Sequence, residues 1–342
     1  MKAVVINEHG SVDKLEYTDF AKPEISSSEV LVKVNACGIN HLDIWVREGI
    51  PGITIPLPHI PGCEIAGEIA GIGNTVKDLN IGQHVLIAPG INCGRCEYCL
   101  SSNDSLCSEF KIMGFQVDGG YAEYVKSPAE NIIAISDRLS FEEWAAVPLV
   151  FLTAWNMLKI RGDLAAGETV LIHAAGSGIG SAAIQIAKLS GAEVITTVGS
   201  DEKLEKAKEL GADHVINYSK EDFVNKVNEF TDSKGVDVVF EHIGPETWEK
   251  SLLCLKRGGR IVTCGATSGS TVSFDLRFLF AKQLSISGCY MGSRKDLLEV
   301  LTLMELGRLK PVVDSVFHLK DAAAAQTKML DRKQFGKIVL VP

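Results

Sequence analysis

Between residues 169 and 290, short β-branched runs alternate with helical stretches, and this alternation restricts the fold more than any other feature. The runs fall at 169–173, 193–198, 214–216, 236–241, 260–264 and 285–290. Residues 181–190 have helical periodicity, 202–210 form a charged amphipathic helix that stops at Gly211, and 223–228 make another helix. Strands separated by helices at this spacing predict a parallel, doubly wound α/β sheet.

The first ~150 residues have a different texture. Residues 29–36 alternate apolar and polar, as a half-buried strand does, and Pro51, Pro56, Pro58 and Pro61 punctuate the next stretch. Further β-like runs at 68–72, 84–88 and 121–126 predict an irregular β domain. After the last βα unit come helical patterns at 296–306 and 321–330 and a terminal strand at 337–341, expected to return to the first domain. The expected division is therefore 1–149 with 288–342 as one domain and 150–287 as the other.

A chain of 342 residues suits two domains and can bury large cores without disulfides. Its formal net charge of -9 argues against a non-specific grip on nucleic acid or an anionic membrane. The N-terminus turns polar too early for a signal peptide, and no apolar run reaches the ~20 residues that a spanning helix needs. Nine cysteines, four of them crowded together, read as metal binding in a reducing compartment, so the cytoplasm is the expected location.

The turn after the first strand of the α/β region reads Ala174-Ala175-Gly176-Ser177-Gly178-Ile179-Gly180. Small residues there let the backbone approach a pyrophosphate, and the helix after the turn supplies amide donors and a positive dipole end. The strict G-x-G-x-x-G spacing is absent, so the strand–turn–helix context carries the reading. At the end of the second strand, where a carboxylate would bind the ribose of NAD, the chain has Val198, then Gly199 and Ser200. Lys203 offers positive charge to a 2′-phosphate, which favours NADP(H). Asp201 and Glu202 dilute that charge, and Lys203 also reads as a solvated helix residue, so NAD(H) stays open.

Cys93, Cys96, Cys99 and Cys107 form C-x2-C-x2-C-x7-C. Two-residue gaps on a turn-rich loop bring thiolates together as a tetrahedral zinc site requires. An iron–sulfur cluster fits the short, closed spacing less well. Four cysteines leave no open coordination position, so one zinc here is expected to be structural.

With these motifs in hand, the chain resembles the medium-chain dehydrogenase/reductase family, both its zinc alcohol dehydrogenases and its quinone oxidoreductases. The resemblance runs nearly end to end. It rests on Cys37-Gly38-Ile39-Asn40-His41-Leu42-Asp43, Pro61-Gly62-Cys63-Glu64, the cysteine lobe, Asp118-Gly119-Gly120-Tyr121, Thr153-Ala154-Trp155 and the glycine-rich turn. It implies a GroES-like catalytic domain, a Rossmann domain and an active site in the cleft between them. It also implies that a catalytic zinc, where the family has one, is held at the positions of Asn40, Cys63 and the stretch Pro148-Leu149-Val150-Phe151. None of these keeps its usual ligand, and Leu42 replaces the hydroxyl of the proton relay. No catalytic zinc is expected, although Cys37, His41, His59, Cys63 and Glu64 could compose an unorthodox site.

Without a Lewis acid, reducing a plain ketone to an alkoxide is hard, whereas a quinone or enone spreads the charge. The resemblance places Asn40 and Thr153 near nicotinamide and substrate, Trp45 on the apolar substrate wall, and His41 at the pyrophosphate. It also sets Cys264, Gly265 and Ala266 beside the nicotinamide and Tyr218 near the 2′-phosphate. Thr153 also reads as a helix N-cap, Trp45 as a core aromatic and Lys337 as either a phosphate neighbour or a surface lysine. No side chain stands out as general acid, which leaves water as the proton source.

Three functions are consistent with these residues: an NADP(H)-dependent quinone or enone reductase acting on a small molecule, a zinc alcohol dehydrogenase with a drifted ligand set, and a non-catalytic nucleotide-binding protein. The family's habit of pairing the strand near 285–290 across a two-fold implies a homodimer or homotetramer.

Overall fold

The computed structural model describes all 342 residues. The chain divides into two compact units: Met1–Leu149 with Ser293–Leu298 and Pro311–Pro342, and Val150–Gly292 with Glu299–Lys310. The division departs from the expected return at residue 288: the first unit resumes at Ser293, and Glu299–Lys310 belongs with the second.

The second unit holds a six-stranded sheet, all neighbours parallel. Its spatial order is His214–Asn217, Glu193–Val198, Thr169–Ile172, Val236–Glu241, Leu255–Thr263, Ser285–Gly288. In chain order this is 3-2-1-4-5-6, the Rossmann arrangement, with its direction reversing between Thr169–Ile172 and Val236–Glu241. Leu171, Ile195, Ile216, Val239 and Ile261 are fully buried and pack with Trp248 and Leu252. Burying each such aliphatic side chain contributes roughly 1.5–3 kcal/mol, which is why these strands read as near-continuous apolar runs.

The first unit is built on a sheet ordered Val313–His318, Lys337–Val341, Glu29–Gly38, Glu64–Ile72, His84–Ile87, Ile132–Ala134, with Tyr124–Pro128 also pairing with Glu29–Gly38. The C-terminal strand returns as expected and pairs antiparallel with Glu29–Gly38, setting Leu340 opposite Cys37. The run expected at 121–126 starts later: Tyr121 lies ahead of the strand and is fully buried. Gly62 has φ +103, and a Cβ there would sit 2.5 Å from the Tyr121 ring and 2.7 Å from Cys37 Sγ. Only glycine allows this close approach.

Several elements have no counterpart in the expected pattern, three of them notable for their local geometry. Lys2–Ile6 and Leu15–Asp19 form a separate antiparallel pair, and Asn156–Arg161 is a π-helical turn following Val150–Trp155. A π turn disturbs the 3.6-residue period, so periodicity alone does not reveal it.

Candidate active site and metal lobe

In the second unit, the nucleotide-site candidates gather at the carboxyl ends of the parallel strands, where open α/β sheets bind ligands. Thr169–Ile172 runs into the turn, Ser177 caps the helix Gly178–Leu189, and its hydroxyl accepts the Gly180 amide at 2.9 Å. A Cβ on Gly180 would meet the Ala174 carbonyl oxygen at 2.3 Å, so Gly176, Ala175, Ile179 and their neighbours lie in a turn with no room for a side chain at 180. The amides of this first helical turn have no intrahelical partners and suit an anion.

Gly199 and Ser200 follow the second strand, and a Cβ at Gly199 would lie 2.6 Å from the Tyr218 hydroxyl. Asp201, the nearest carboxylate, is taken by Asn217 at 2.7 Å and by Lys220. Lys203 lies in the first turn of the following helix, Glu202–Glu209, its amide bonded to the Ser200 carbonyl at 3.2 Å. Cys264, Gly265 and Ala266 leave the fifth strand. Thr153 is not an N-cap: it lies inside the helix Val150–Trp155, buried, with its carbonyl 3.9 Å from Cys289 Sγ.

Beneath the point where the strand order reverses lies a buried network that the sequence did not disclose. His173 Nε2 meets Ser251 Oγ at 2.8 Å, and Ser251 donates to Glu241 at 2.9 Å. Glu241 also accepts the amides of Ile243 and Gly244 and the Thr247 hydroxyl. Burial pushes the His173 pKa down to about 4, although Glu241 pulls the other way. The ring is therefore neutral in the folded protein and takes up a proton near 6.5 once unfolded. Between these values the unfolded chain binds the extra proton, so this contribution to stability is lost as pH falls from 6.5 toward 4. A His173→Gln variant should show a shallower fall in unfolding free energy over that window, by at most about 1.4 kcal/mol per pH unit. Parallel pH–stability curves for variant and wild type would contradict this.

In the first unit, Asn40 precedes the helix His41–Glu48, and Asp43 accepts the Asn40 amide at 2.8 Å. His41 and Trp45 lie one turn apart with rings edge to face, centroids 5.7 Å apart. Trp45 is half-buried rather than a core aromatic. The Asn40 side chain joins a buried cluster in which Nδ2 donates to Glu64 Oε2 at 3.0 Å and Lys337 Nζ donates to Oδ1 at 2.8 Å. Lys337 pairs with the same Glu64 oxygen at 2.5 Å, and their side chains are 3% and 0% exposed. Lys337 is thus not a surface lysine. Glu64 Oε1 accepts the Leu149 amide at 2.7 Å.

The residues considered for a second metal are otherwise engaged. Glu64 is bound to the Lys337 ammonium, and His59 Nε2 sits 3.0 Å from the Gly114 carbonyl. Burial, followed by the carboxylates of Asp43 and Glu64, pushes the Cys37 and Cys63 thiols well above their usual pKa. Asp43 is fully buried and its carboxyl is raised to about 6, chiefly by that burial. Its Oδ2 accepts the Tyr121 hydroxyl at 3.0 Å while its Oδ1 has no partner. Such an orphan carboxylate oxygen suits the ring N–H of a metal-bound histidine, and at 63 this chain has cysteine. This donor set does not fit a catalytic zinc.

The cysteine lobe does fit a zinc ion. The sulfurs of Cys93, Cys96, Cys99 and Cys107 all lie within 4.8 Å of one another. Cys99 Sγ is 3.5 Å from Cys96 Sγ and 3.8 Å from Cys93 Sγ, close to the ~3.8 Å edge of a tetrahedron with Zn–S bonds of about 2.3 Å. The Glu109 amide points at Cys107 Sγ from 3.4 Å, as an amide that tempers a thiolate ligand would. No helix is long and apolar enough to cross a membrane.

Comparison with known proteins agrees with this anatomy. Residues 26–137 match the alcohol dehydrogenase GroES-like domain, and residues 178–305 match the zinc-binding dehydrogenase domain. An alcohol dehydrogenase of Geobacillus stearothermophilus is 35% identical over 99% of this chain and 98% of its own. A quinone oxidoreductase of Pseudomonas aeruginosa is 32% identical over 100% and 99%. A solved structure described as an NAD-dependent alcohol dehydrogenase superposes with a TM-score of 0.96 at 42% identity, covering both chains fully. With a GroES-like unit, a parallel dinucleotide-type sheet and relatives matched end to end, the chain belongs to the medium-chain dehydrogenase/reductase family of oxidoreductases.

Proposed function

We propose that this enzyme is an NADP(H)-dependent reductase that passes hydride to a quinone or an activated alkene and carries one structural zinc per chain. The observation that carries the reading is the Asn40 cluster. Where a metal-dependent member would place a ligand, this chain has an amide hydrogen-bonded to Glu64 and to the Lys337 ammonium. When bound, a reduced nicotinamide would supply a hydride to the electron-poor carbon of the acceptor, leaving negative charge on the acceptor oxygen. Asn40 Nδ2 donates to that oxygen, whose charge is already delocalised, and water returns the proton. Gly176, Gly178 and Ile179 would hold the pyrophosphate through backbone amides, while Ser177, whose own amide is bonded to the Ala174 carbonyl at 2.9 Å, would shape the turn and cap the helix. Thr153, Trp45 and His41 complete the surroundings of substrate and cofactor, with Cys264, Gly265 and Ala266 flanking the nicotinamide.

The phosphate preference rests on the absence of a carboxylate at Gly199 and Ser200, the Tyr218 hydroxyl packed against Gly199, Lys203 in the first turn of the next helix, and Asp201 tied to Asn217 and Lys220. The cysteine lobe holds the zinc. The edge strand Ser285–Gly288, with Phe280 and Ile286 exposed near it, pairs two copies into a homodimer or a tetramer in the cytoplasm.

The test combines metal analysis with rates of NADPH and NADH oxidation against quinones, enones and aldehydes. The expected result is one zinc per chain, preference for NADPH and turnover of quinones or enones. Two zinc ions, with aldehyde reduction that a chelator abolishes, would establish the alcohol dehydrogenase reading instead. Tight nucleotide binding without turnover of any acceptor would leave a binding protein.

A further inference from the structure

We infer that Lys337 is a positioning residue: its ammonium, together with Glu64, fixes which way round the Asn40 amide stands. The inference rests on the role proposed above for Asn40 and adds the device that makes it a dependable donor. A planar amide can present either its oxygen or its nitrogen to a given neighbour, and only its partners decide between them. Asn40 sits at a helix N-terminus, yet its side chain is not spent on capping there. Asp43 satisfies the Asn40 amide instead.

The partners of the Asn40 side chain are a cation and an anion. Lys337 Nζ lies 2.8 Å from Oδ1, and Glu64 Oε2 lies 3.0 Å from Nδ2. Flipping the amide would set N–H against the ammonium and C=O against the carboxylate, replacing two attractions by two repulsions inside a buried cluster. The ammonium donates three hydrogen bonds, to the Ile39 carbonyl at 2.5 Å, to Asn40 Oδ1 and to Glu64 Oε2. Its donor capacity is then complete. It has no proton left for a phosphate or a substrate oxygen, so its effect on chemistry passes through Asn40. Asn40 has one Nδ2 proton beyond the Glu64 bond, donated in this structure only weakly, to Cys63 Sγ and Gly38 O at 3.5 Å each, so a substrate oxygen would replace a weak acceptor. That proton is the one offered to an acceptor oxygen.

The test measures kcat, KM for NADPH and unfolding midpoint, using whichever acceptor the wild-type enzyme turns over best. Four variants are compared: Asn40→Ala, Lys337→Met, the double neutral Glu64→Gln/Lys337→Met, and Asn40→Ala/Lys337→Met. Asn40→Ala should lower kcat ~100-fold, the scale of one lost oxyanion donor. Lys337→Met should lower kcat ~10- to 100-fold, with KM for NADPH within about twofold. In the double neutral variant the buried charge is no longer unpaired, so the unfolding midpoint should recover. The glutamine introduced by Glu64→Gln can donate or accept and no longer orients Asn40, so kcat should stay low. Asn40→Ala/Lys337→Met should be no slower than Asn40→Ala alone.

The inference falls if kcat recovers together with the unfolding midpoint, because Lys337 is then merely structural. It falls equally if the Asn40 and Lys337 effects multiply, or if Lys337→Met acts only on KM for NADPH. Wild-type kcat in Asn40→Ala would remove the proposed role of Asn40 itself, an outcome distinct from the other three.

Discussion

Replacing Gly180 with valine should weaken NADPH binding by at least about 100-fold while the GroES-like unit stays folded. The reason is steric and local. A Cβ at 180 would stand 2.3 Å from the Ala174 carbonyl oxygen and 2.9 Å from Ser177 Oγ, closer than any real contact permits. One neighbour is backbone and the other caps the helix, so neither can step aside without remaking the turn. Ala174 is already held at φ +54, which leaves the turn little freedom to absorb the change. Overpacking of this kind costs about 1–3 kcal/mol in stability. The larger loss is expected in binding, because the proposed pyrophosphate grip would use backbone amides whose direction the turn sets. Fluorescence titration with NADPH checks the binding loss, and circular dichroism with a melting curve checks the fold. Wild-type affinity in a folded Gly180→Val protein would show that the nucleotide does not use this turn.

Substituting Cys99 with serine should release the zinc and lower the unfolding midpoint by roughly 4 °C, equivalent to about 3 kcal/mol in a chain of this size. Cys99 is the informative choice because its sulfur is close to those of both Cys93 and Cys96. The segment around it has little else to hold it. Its regular structure is one turn, Glu97–Leu100, and one 3-10 turn, Asp104–Leu106, while Tyr98, Leu100 and Leu106 face solvent. A lobe without an apolar core relies on its metal. Limited proteolysis of the variant should therefore cut between residues 93 and 110 before it cuts elsewhere. The lobe also reaches further than its own loop, because Asp104 accepts the Arg294 amide at 3.1 Å and so anchors the start of the helix Arg294–Glu305. Unchanged zinc content in Cys99→Ser would remove the four-cysteine assignment.

These two sites were legible in the sequence because each is compact along the chain. The turn occupies residues 174–180 and the lobe 93–107, so residue type and spacing carry the chemistry. The parallel sheet was legible for a similar reason: strands buried on both faces read as apolar runs, and Glu193–Val198, Val236–Glu241 and Lys337–Val341 keep the bounds expected of them. The Asn40 cluster is different. Lys337 and Asn40 are 297 residues apart, and nothing about a lysine in a terminal strand announces that it points inward. Glu64 stood out as a carboxylate beside Cys63, but its partner depends on the pairing of Lys337–Val341 with Glu29–Gly38, a fact of topology. The His173–Ser251–Glu241 network was hidden in the same way, because its members come from three separate elements.

The burial of Cys37 and Cys63 bears on the working lifetime of the catalyst. Quinones and enones are soft electrophiles that alkylate thiolates, so on the proposed function the enzyme would handle a potential inactivator at every turnover. Both thiols are 1% exposed or less, and both are held in the protonated form by burial and neighbouring carboxylates. They can occupy the interior of the GroES-like unit without competing with hydride for the same electrophilic carbon.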